Sequence, residues 1–280
     1  MLYVVGRPSL TNARLVAAFR AAGCDARVVA PTELHARNGD VALARLDVRT
    51  TLDGVEAGLW RLRDVERAGG LVLNGPGALL NAHDKLATAV VLGRAGVPQP
   101  RTAHVRSATP APPFGPPYVV KPRFGSWGRD VFRCDSRSEL ETCLRDLSGR
   151  GWLRRQGALV QELVPTAGSD LRLVVAGGVV AGAVERAAPP GEWRTNVALG
   201  ARRRPAEPSP AERAVAVRAA KAIGLDLAGV DLLTAPGRRP VVLEVNGAVD
   251  FTPEYGLAGA DPFLVVADAL VQAPALALAR

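Results

Sequence analysis

Three oxygen-bearing side chains in the last fifth of the 280-residue chain stand at spacings that suit a cation. Asp231 lies within the apolar run Gly229-Val-Asp-Leu-Leu233, and Glu244 and Asn246 alternate along Val241-Val-Leu-Glu-Val-Asn246. A strand repeats every two residues, so Glu244 and Asn246 share a face. Pairing through a turn around Ala235-Pro-Gly237 would bring Asp231 beside them. Two carboxylates and an amide oxygen are hard donors, the kind that magnesium takes while it shares its shell with phosphate. An exposed polar hairpin face is the competing reading, and the apolar neighbours on both strands weaken it.

Upstream, Lys121 ends the strand Tyr118-Val-Val-Lys-Pro122 and precedes the loop Arg123-Phe-Gly-Ser-Trp-Gly-Arg129. Gly125 and Gly128, on either side of Ser126 and Trp127 and just before Arg129, let backbone N–H groups approach phosphate oxygens. Lysine is scarce: Lys85, Lys121 and Lys221 are the only ones among 35 basic residues, so a lysine at such a position supplies a compact point charge. Trp127 reads equally as a cover over a nucleotide or as packing. Gln161 and Glu162 end another apolar strand, where a carboxylate or the adjoining backbone suits an adenine amino group or a ribose hydroxyl. Asp170 and Arg172 share a strand face, so the acid can orient the guanidinium. Arg172, Arg186 and Arg194, with Asn196, could neutralise charge on a transferring phosphoryl group. For any of these residues alone, a plain turn or a solvated charge explains as much.

The elements that must position these residues follow two rhythms. Leu2–Val5, a helix from Thr11 or Asn12 to Gly23, Ala26–Ala30, Val41–Leu46 and Leu71–Leu73 read as a βαβ lobe with a small parallel sheet. A helix is expected from near Asn81 to Gly96, carrying Lys85. The Pro/Ala/Ser-rich stretch 106–117 reads as a linker. Further on come strands at 118–122 and 158–162, a helix over 138–147, and a hairpin from Leu171 to Val184 about Gly177-Gly178. Ser209-Pro-Ala-Glu212 is a capping box that opens a helix to Ile223, and a last apolar helix follows Asp261-Pro262. The fold class is thus α/β at the start and α+β beyond.

Bulk properties exclude several functions. Hydrophobic residues make up 48% and charged residues 22%, as in folded globular chains, and no apolar run reaches the length of about 18 residues that a membrane span needs. The N-terminus is too short in apolar residues to read as a signal peptide, and the three unpatterned cysteines favour a reducing cytoplasm. The net charge of +8 is spread along the chain, its densest run being Arg202-Arg-Arg204. That pattern favours anionic substrates over a nucleic-acid partner. No HExxH, GxSxG, P-loop or early GxGxxG is present, so zinc hydrolase, serine hydrolase and Rossmann readings lack their residues.

In order, Asn81-Ala-His-Asp-Lys85, Gly96-Val-Pro98, Val120-Lys-Pro122, Gly125–Arg129 and Val160-Gln-Glu162 resemble the ATP-grasp superfamily, in particular its RimK-like branch of amino-acid ligases. Asp170-Leu-Arg172, Arg194-Thr-Asn196, Gly229-Val-Asp231 and Glu244-Val-Asn246 continue the resemblance, which covers roughly residues 75–260. It implies an ATP-grasp fold: a pre-ATP-grasp domain at 1–95, a central lobe at 96–163 and a metal-bearing lobe at 164–280, the two lobes enclosing the nucleotide. It further implies ATP with two Mg2+ ions (or Mn2+), held by Asp231, Glu244 and Asn246. Lys85 and Lys121 would meet phosphates, and Glu162 would sit at the adenine hinge. Arg194 and Asn196 would lie near phosphates and metal, while Arg172 and Arg186 would meet the acyl phosphate or acceptor. The implied reaction phosphorylates a carboxylate with release of ADP, after which an amine, such as an amino acid, displaces phosphate. An acidic carrier or peptide is a candidate acceptor, and a homodimer or tetramer the expected assembly. A phosphotransferase without an amine acceptor and a weakly active nucleotide-binding module are the alternatives. Gly125–Arg129 is similar to the loop of the lysine-biosynthesis ligase. Gly247-Ala-Val-Asp-Phe251 matches neither that ligase's threonine-containing pattern nor the Ser-Pro-Gly of the ribosomal-protein glutamate ligase, which leaves the substrate open.

Overall fold

The computed structural model of the protein describes residues 1–47, 58–107, 111–234 and 239–273. The first sheet is parallel. Its strands β1 (Leu2–Val5), β2 (Ala26–Val29), β3 (Val41–Ala44) and β4 (Leu71–Leu73) stand in the order β2-β1-β3-β4, with α1 (Leu10–Ala21) and α2 (Arg61–Arg67) in the connections. β1 and β3 are buried at every residue, which is why they read as unbroken apolar runs rather than as alternating ones. Ser9 opens α1 by accepting the Asn12 N–H.

The helix expected from Asn81 to Gly96 is two helices, α3 (Pro76–His83) and α4 (Lys85–Arg94). Asp84 divides them. It is extended (φ −86°, ψ 103°) because its carboxylate caps α4 at the Leu86 N–H and also receives Arg123 Nε at 2.7 Å. A helical Asp84 could not serve both partners.

The second sheet is antiparallel: β5 (Thr102–Val105), β6 (Tyr118–Pro122), β7 (Phe132–Cys134) and β8 (Ala158–Glu162), in the order β5-β8-β6-β7, with α5 (Arg137–Asp146) and α6 (Gly151–Gln156) packed on it. The proline-rich stretch read as a linker is internal to this sheet, where it joins β5 to β6. Its Phe114 is buried and accepts the Tyr118 hydroxyl, so the segment is part of a core; residues 108–110 lie outside the described residues.

The third sheet contains β9 (Ser169–Ala176), β10 (Val179–Ala187), β11 (Arg202–Pro205), β12 (Leu227–Leu233) and β13 (Val241–Asn246), in the order β11-β10-β9-β12-β13. α7 (Pro210–Ile223) opens with the expected capping box, and α8 (Pro262–Gln272) follows Asp261. β12 and β13 pair antiparallel as the sequence suggested, although Ala235–Gly237 at their turn lies outside the described residues. One face of the sheet (Leu173, Val175, Val230, Leu232) packs under α7. The other face is divided along its length. Val174, Ala176, Val184 and Leu227 pack against α8, while Arg172, Arg186 and Asp231 continue the same alternation as a charged end.

Two apolar clusters join the first sheet to the third, whereas the second sheet keeps a core of its own. The first and third sheets therefore behave as one body and the second as a separate lobe. Among the described residues no helix is long and apolar enough to cross a membrane.

Asn74 pins the body together. It is fully buried, sits at φ 56°, and accepts the N–H groups of Asp226 (2.8 Å) and Leu227 (3.0 Å). Its amide donates to the carbonyls of Leu227 (2.8 Å) and Gly247 (3.1 Å). Asn74→Ala strands several buried polar groups and places alanine in the left-handed region. A loss of roughly 3 kcal/mol is expected in urea unfolding; a loss under 1 kcal/mol would mean that the joint is held elsewhere.

Candidate active site

A cleft of about 580 Å3 opens between the second sheet and the body. Lys85, Lys121, the loop Gly125–Arg129, Gln161, Glu162, Arg194, Asn196 and Glu244 all line it, so residues scattered over 160 positions converge. Its walls are apolar where Val119, Leu163, Leu233 and Leu243 face in. A wedge with an apolar wall, a glycine loop and two lysines fits a planar base at one end and phosphates at the other.

Lys121 reaches the cleft from β6, where it alternates with Tyr118 and Val120, which pack into the core of the second sheet. Burial, and after it the charge of nearby Lys85, lower its pKa from 10.5 to about 8, with Glu244 and Asp231 only partly offsetting them. Among the described residues it has no ion-pair partner, so a phosphate would supply the missing counter-charge. Lys85 begins α4. Its Nζ donates to the Gly125 carbonyl at 2.5 Å and lies 3.4 Å from Glu244 Oε1, which ties the glycine loop to β13.

Behind the cleft the charged end of the third sheet forms one network. Arg172 Nε and Nη2 donate to the two oxygens of Asp231 at 2.6 and 2.7 Å. Arg186 donates to both oxygens of Asp170 and, at 2.8 Å, to Asp231 Oδ2. Strand register places these groups: Asp231 is opposite Arg172 and Arg186 is opposite Asp170. Burial pushes the Asp231 carboxyl up, but the two guanidinium groups prevail and leave it at about 2. Burial raises Asp170, and the bonds from Arg186 and Thr195 only partly counter it. The Thr195 hydroxyl reaches Asp170 at 2.6 Å, which joins the network to the loop above.

Glu244 pairs directly with Asp231 across β12 and β13, and a β-bulge follows at Asp231/Leu232. The bulge skips Leu243, so Leu243 and Glu244, adjacent in sequence, both face the cleft. Asn246 is two residues on. It lines a separate cavity of about 40 Å3 together with Asp47 and His83. Among the described residues its Nδ2 is buried without a hydrogen-bond partner. A half-turn of the amide presents its oxygen instead, a hard donor on the same strand face as Glu244, although among the described residues no three His, Cys, Asp or Glu side chains gather into a metal-holding group.

Two loops meet over the cleft. Glu192 accepts the N–H groups of Trp193 and Arg194 and the Arg194 guanidinium, which hold its pKa at about 2. Arg194 then donates to the Gly128 carbonyl at 3.1 Å. Gly128 has φ 70°, and a Cβ there would lie 2.6 Å from Asn196 Oδ1, so the close approach needs glycine. Trp127 is exposed at the loop tip, with Arg129 stacked 5.0 Å from its ring.

The structure also separates some expected partners. Asp170, Arg172, Arg186, Asp231 and Asn246 do not line the main cleft but stand behind it. The Glu162 carboxylate is taken by Arg101, through its backbone N–H at 3.0 Å and its guanidinium at 2.6 Å; burial opposes ionisation, yet these bonds keep the pKa below its ordinary value. Gln161 donates to Thr102. Several site residues escaped the sequence reading. The apolar wall was concealed among ordinary core residues, and the Asp84–Arg123 clamp joins groups 39 positions apart. Arg45 is the largest omission: buried, with its pKa lowered by desolvation to about 10, it donates to Asn12 Oδ1 (2.5 Å), the Val249 carbonyl (2.7 Å) and Asp250 (3.1 Å). It thereby fixes the loop after Asn246 to the first sheet.

Comparison with known proteins identifies the family. Residues 82–257 match the RimK-like ATP-grasp domain. A Thioalkalivibrio sulfidiphilus protein named "Probable alpha-L-glutamate ligase" is 37% identical over 215 residues, 75% of this chain and 68% of that protein. The Hahella chejuensis "Probable alpha-L-glutamate ligase 2" is 32% identical, with 93% of this chain and 92% of that protein covered. Among solved structures, the ATP-grasp ligase PsnB complexed with a minimal precursor, Mg and ADP superposes with a TM-score of 0.71 at 21% identity, covering 96% of this chain and 97% of that one.

Lys121 gives a pH test that needs no ligand. Its folded pKa lies below the unfolded value, so the desolvation penalty is complete below about pH 8 and is relieved as pH rises towards 10.5. Lys121→Met removes the penalty. The variant is expected to be more stable than the parent at pH 7, with the gap closing between pH 8 and 10 in urea titrations; a gap that widens with pH would contradict the assignment.

Proposed function

The chain belongs to the RimK-like ATP-grasp family and is an ATP-dependent ligase that forms amide bonds; we propose that it activates a carboxylate as an acyl phosphate, releases ADP, and joins the acyl group to an amino acid. The relatives' names make L-glutamate the leading amine. One observation carries the reading: a single cleft has an apolar wall at one side, Lys121, Lys85 and a glycine loop at the other, and Glu244 on its floor, in register with Asp231 behind it.

In this reading the base lies against Val119, Leu163, Leu233 and Leu243. Because Arg101 occupies the Glu162 carboxylate, the backbone of residues 162–164, rather than that acid, meets the adenine amino group. Lys85 and Lys121 hold phosphate oxygens, with backbone N–H groups of Gly125–Gly128 around them. Asp231, Glu244 and Asn246 hold Mg2+, as one ion or two, which when bound offsets phosphate charge and favours attack at the terminal phosphorus. Arg172 keeps Nη1 beyond its two bonds to Asp231, a donor left for the acyl phosphate once the lobes close. Arg186 is better understood as a positioning residue, since its bonds go to Asp170 and Asp231. Arg194 and Asn196 close the loop onto Gly128 and exclude water from the acyl phosphate. We divide the chain into a first domain at 1–95, a mobile lobe at 96–163 and a metal-bearing lobe at 164–280. The net charge of +8 favours an acidic acceptor, either a small acid or an acidic peptide.

ADP release is expected to require Mg2+, L-glutamate and an acidic carboxylate acceptor together. Glu244→Gln should lower turnover by about 100-fold or more while the fold is kept, as judged by circular dichroism, whereas Asp231→Asn should lower turnover and stability together because it removes the counter-charge of Arg172 and Arg186. Formation of AMP and pyrophosphate would sink the acyl-phosphate route. A stable phosphorylated product in the presence of the amine would assign the protein to phosphoryl transfer instead.

A further inference from the structure

The chain has three cysteines, and two of them meet. Cys134 ends β7 and Cys143 lies on α5, the helix packed against that strand. Cys134 is buried in the core of the second sheet, while Cys143 is half-buried at its margin; both line one surface groove with Glu139, Thr142 and Asp146. The two side chains pack in the same core and open onto the same groove, close enough for each thiol to shift the other's titration. Cys24 belongs to a different core, between the first sheet and α1, so it is outside the pair. The ligation chemistry uses neither thiol.

We propose that Cys134 and Cys143 form an oxidisable dithiol site that a small-molecule disulfide converts to an intramolecular disulfide linking β7 to α5. The roles within the pair follow from exposure. Cys143 faces the groove and is the attacking sulfur; the neighbouring Cys134 thiol lowers its pKa and favours the thiolate. The Cys143 thiolate attacks one sulfur of the oxidant R–S–S–R, forming a Cys143–S–S–R mixed disulfide and expelling RS−. Cys134 then loses its proton to solvent and attacks the Cys143 sulfur, which forms the Cys134–Cys143 bond and expels the second RS−. Two electrons and two protons leave the protein, and the oxidant becomes two thiols. No hinge separates the partners, because strand and helix already share one core.

The bond has a consequence for the cleft. The sulfurs must close from non-bonded separation to about 2.05 Å, drawing the end of β7 towards α5. Arg133, the residue before Cys134, and Val131 both line the cleft, directly beyond the glycine loop. Oxidation therefore shifts one wall of the nucleotide site.

The test uses the full chain and 2-hydroxyethyl disulfide, an uncharged oxidant. The reduced protein should titrate three thiols under denaturing conditions and the oxidised protein one, with a mass loss of two hydrogens and a single cross-linked peptide joining 134 to 143. Cys134→Ser should instead trap the mixed disulfide on Cys143, and Cys143→Ser, at the more exposed position, should leave Cys134 unreacted. Three titratable thiols after equilibration, a stable mixed disulfide on the parent, or a link to Cys24 would each overturn the proposal. Magnesium with ADP serves as the probe of the cleft: its Kd should rise roughly threefold or more on oxidation, recover with dithiothreitol, and stay constant in Cys143→Ser. An unchanged Kd in a fully cross-linked protein would overturn the coupling to the cleft. Thiol counting does not depend on the ligase reading, so failure of one leaves the other standing.

Discussion

Four charges on one face of the third sheet, three of them buried, set the terms for the rest of the structure. Asp170, Arg172, Arg186 and Asp231 balance as two acids and two bases, and the bonds among them leave neither acid of the network unpaired. Removing any one would strand its partner away from water, an outcome far more costly than the pair is worth in isolation. The sheet must therefore keep its register, since a slip of one residue would turn every member of the network to the apolar face under α7. Continuous strands that are apolar at one end and charged at the other satisfy both demands. The end against α8 supplies stability, and the far end supplies a preorganised field.

The second sheet has a different part. It shares no apolar cluster with the body; among the described residues its attachments include the chain before β5 and after β8, the Asp84–Arg123 clamp, the Lys85 bonds to the Arg123 and Gly125 carbonyls, the bond from the Val242 N–H to the Pro98 carbonyl, and the Arg194–Gly128 contact at the mouth. A lobe held by polar contacts and its own small core can move against the body at little energetic cost. The cleft lies in that seam. Lys121 is carried by the lobe, Glu244 and the arginines by the body, so closure brings a desolvated lysine towards the acid network and whatever anion lies between.

The sequence disclosed the parts whose signal is local. Alternation placed Glu244 and Asn246 on one strand and Asp170 beside Arg172, and the capping box at Ser209–Glu212 and the glycine turn at Gly177-Gly178 were legible because each is encoded within four residues. The order of the motifs disclosed the family for the same reason. The helix through Asn81–Gly96 was misread because Asp84 is broken out of it by Arg123, a partner on another sheet. The proline-rich stretch was misread because composition cannot tell a linker from a loop whose Phe114 enters a core.

What the sequence determined by itself, then, was the set of side chains, their strand faces and the chemistry that those oxygen, lysine and arginine groups can perform. Tertiary structure alone decided which of them are free. It spent the Glu162 carboxylate on Arg101 and the Arg186 guanidinium on two acids, turned Leu243 into the cleft through a bulge, and used Arg45 to hold the loop after Asn246. Each of these depends on groups far apart in the chain, so the outcome follows from which charges are desolvated together. Spacing along a strand fixes the direction of a side chain, but only the folded neighbourhood fixes what that side chain meets.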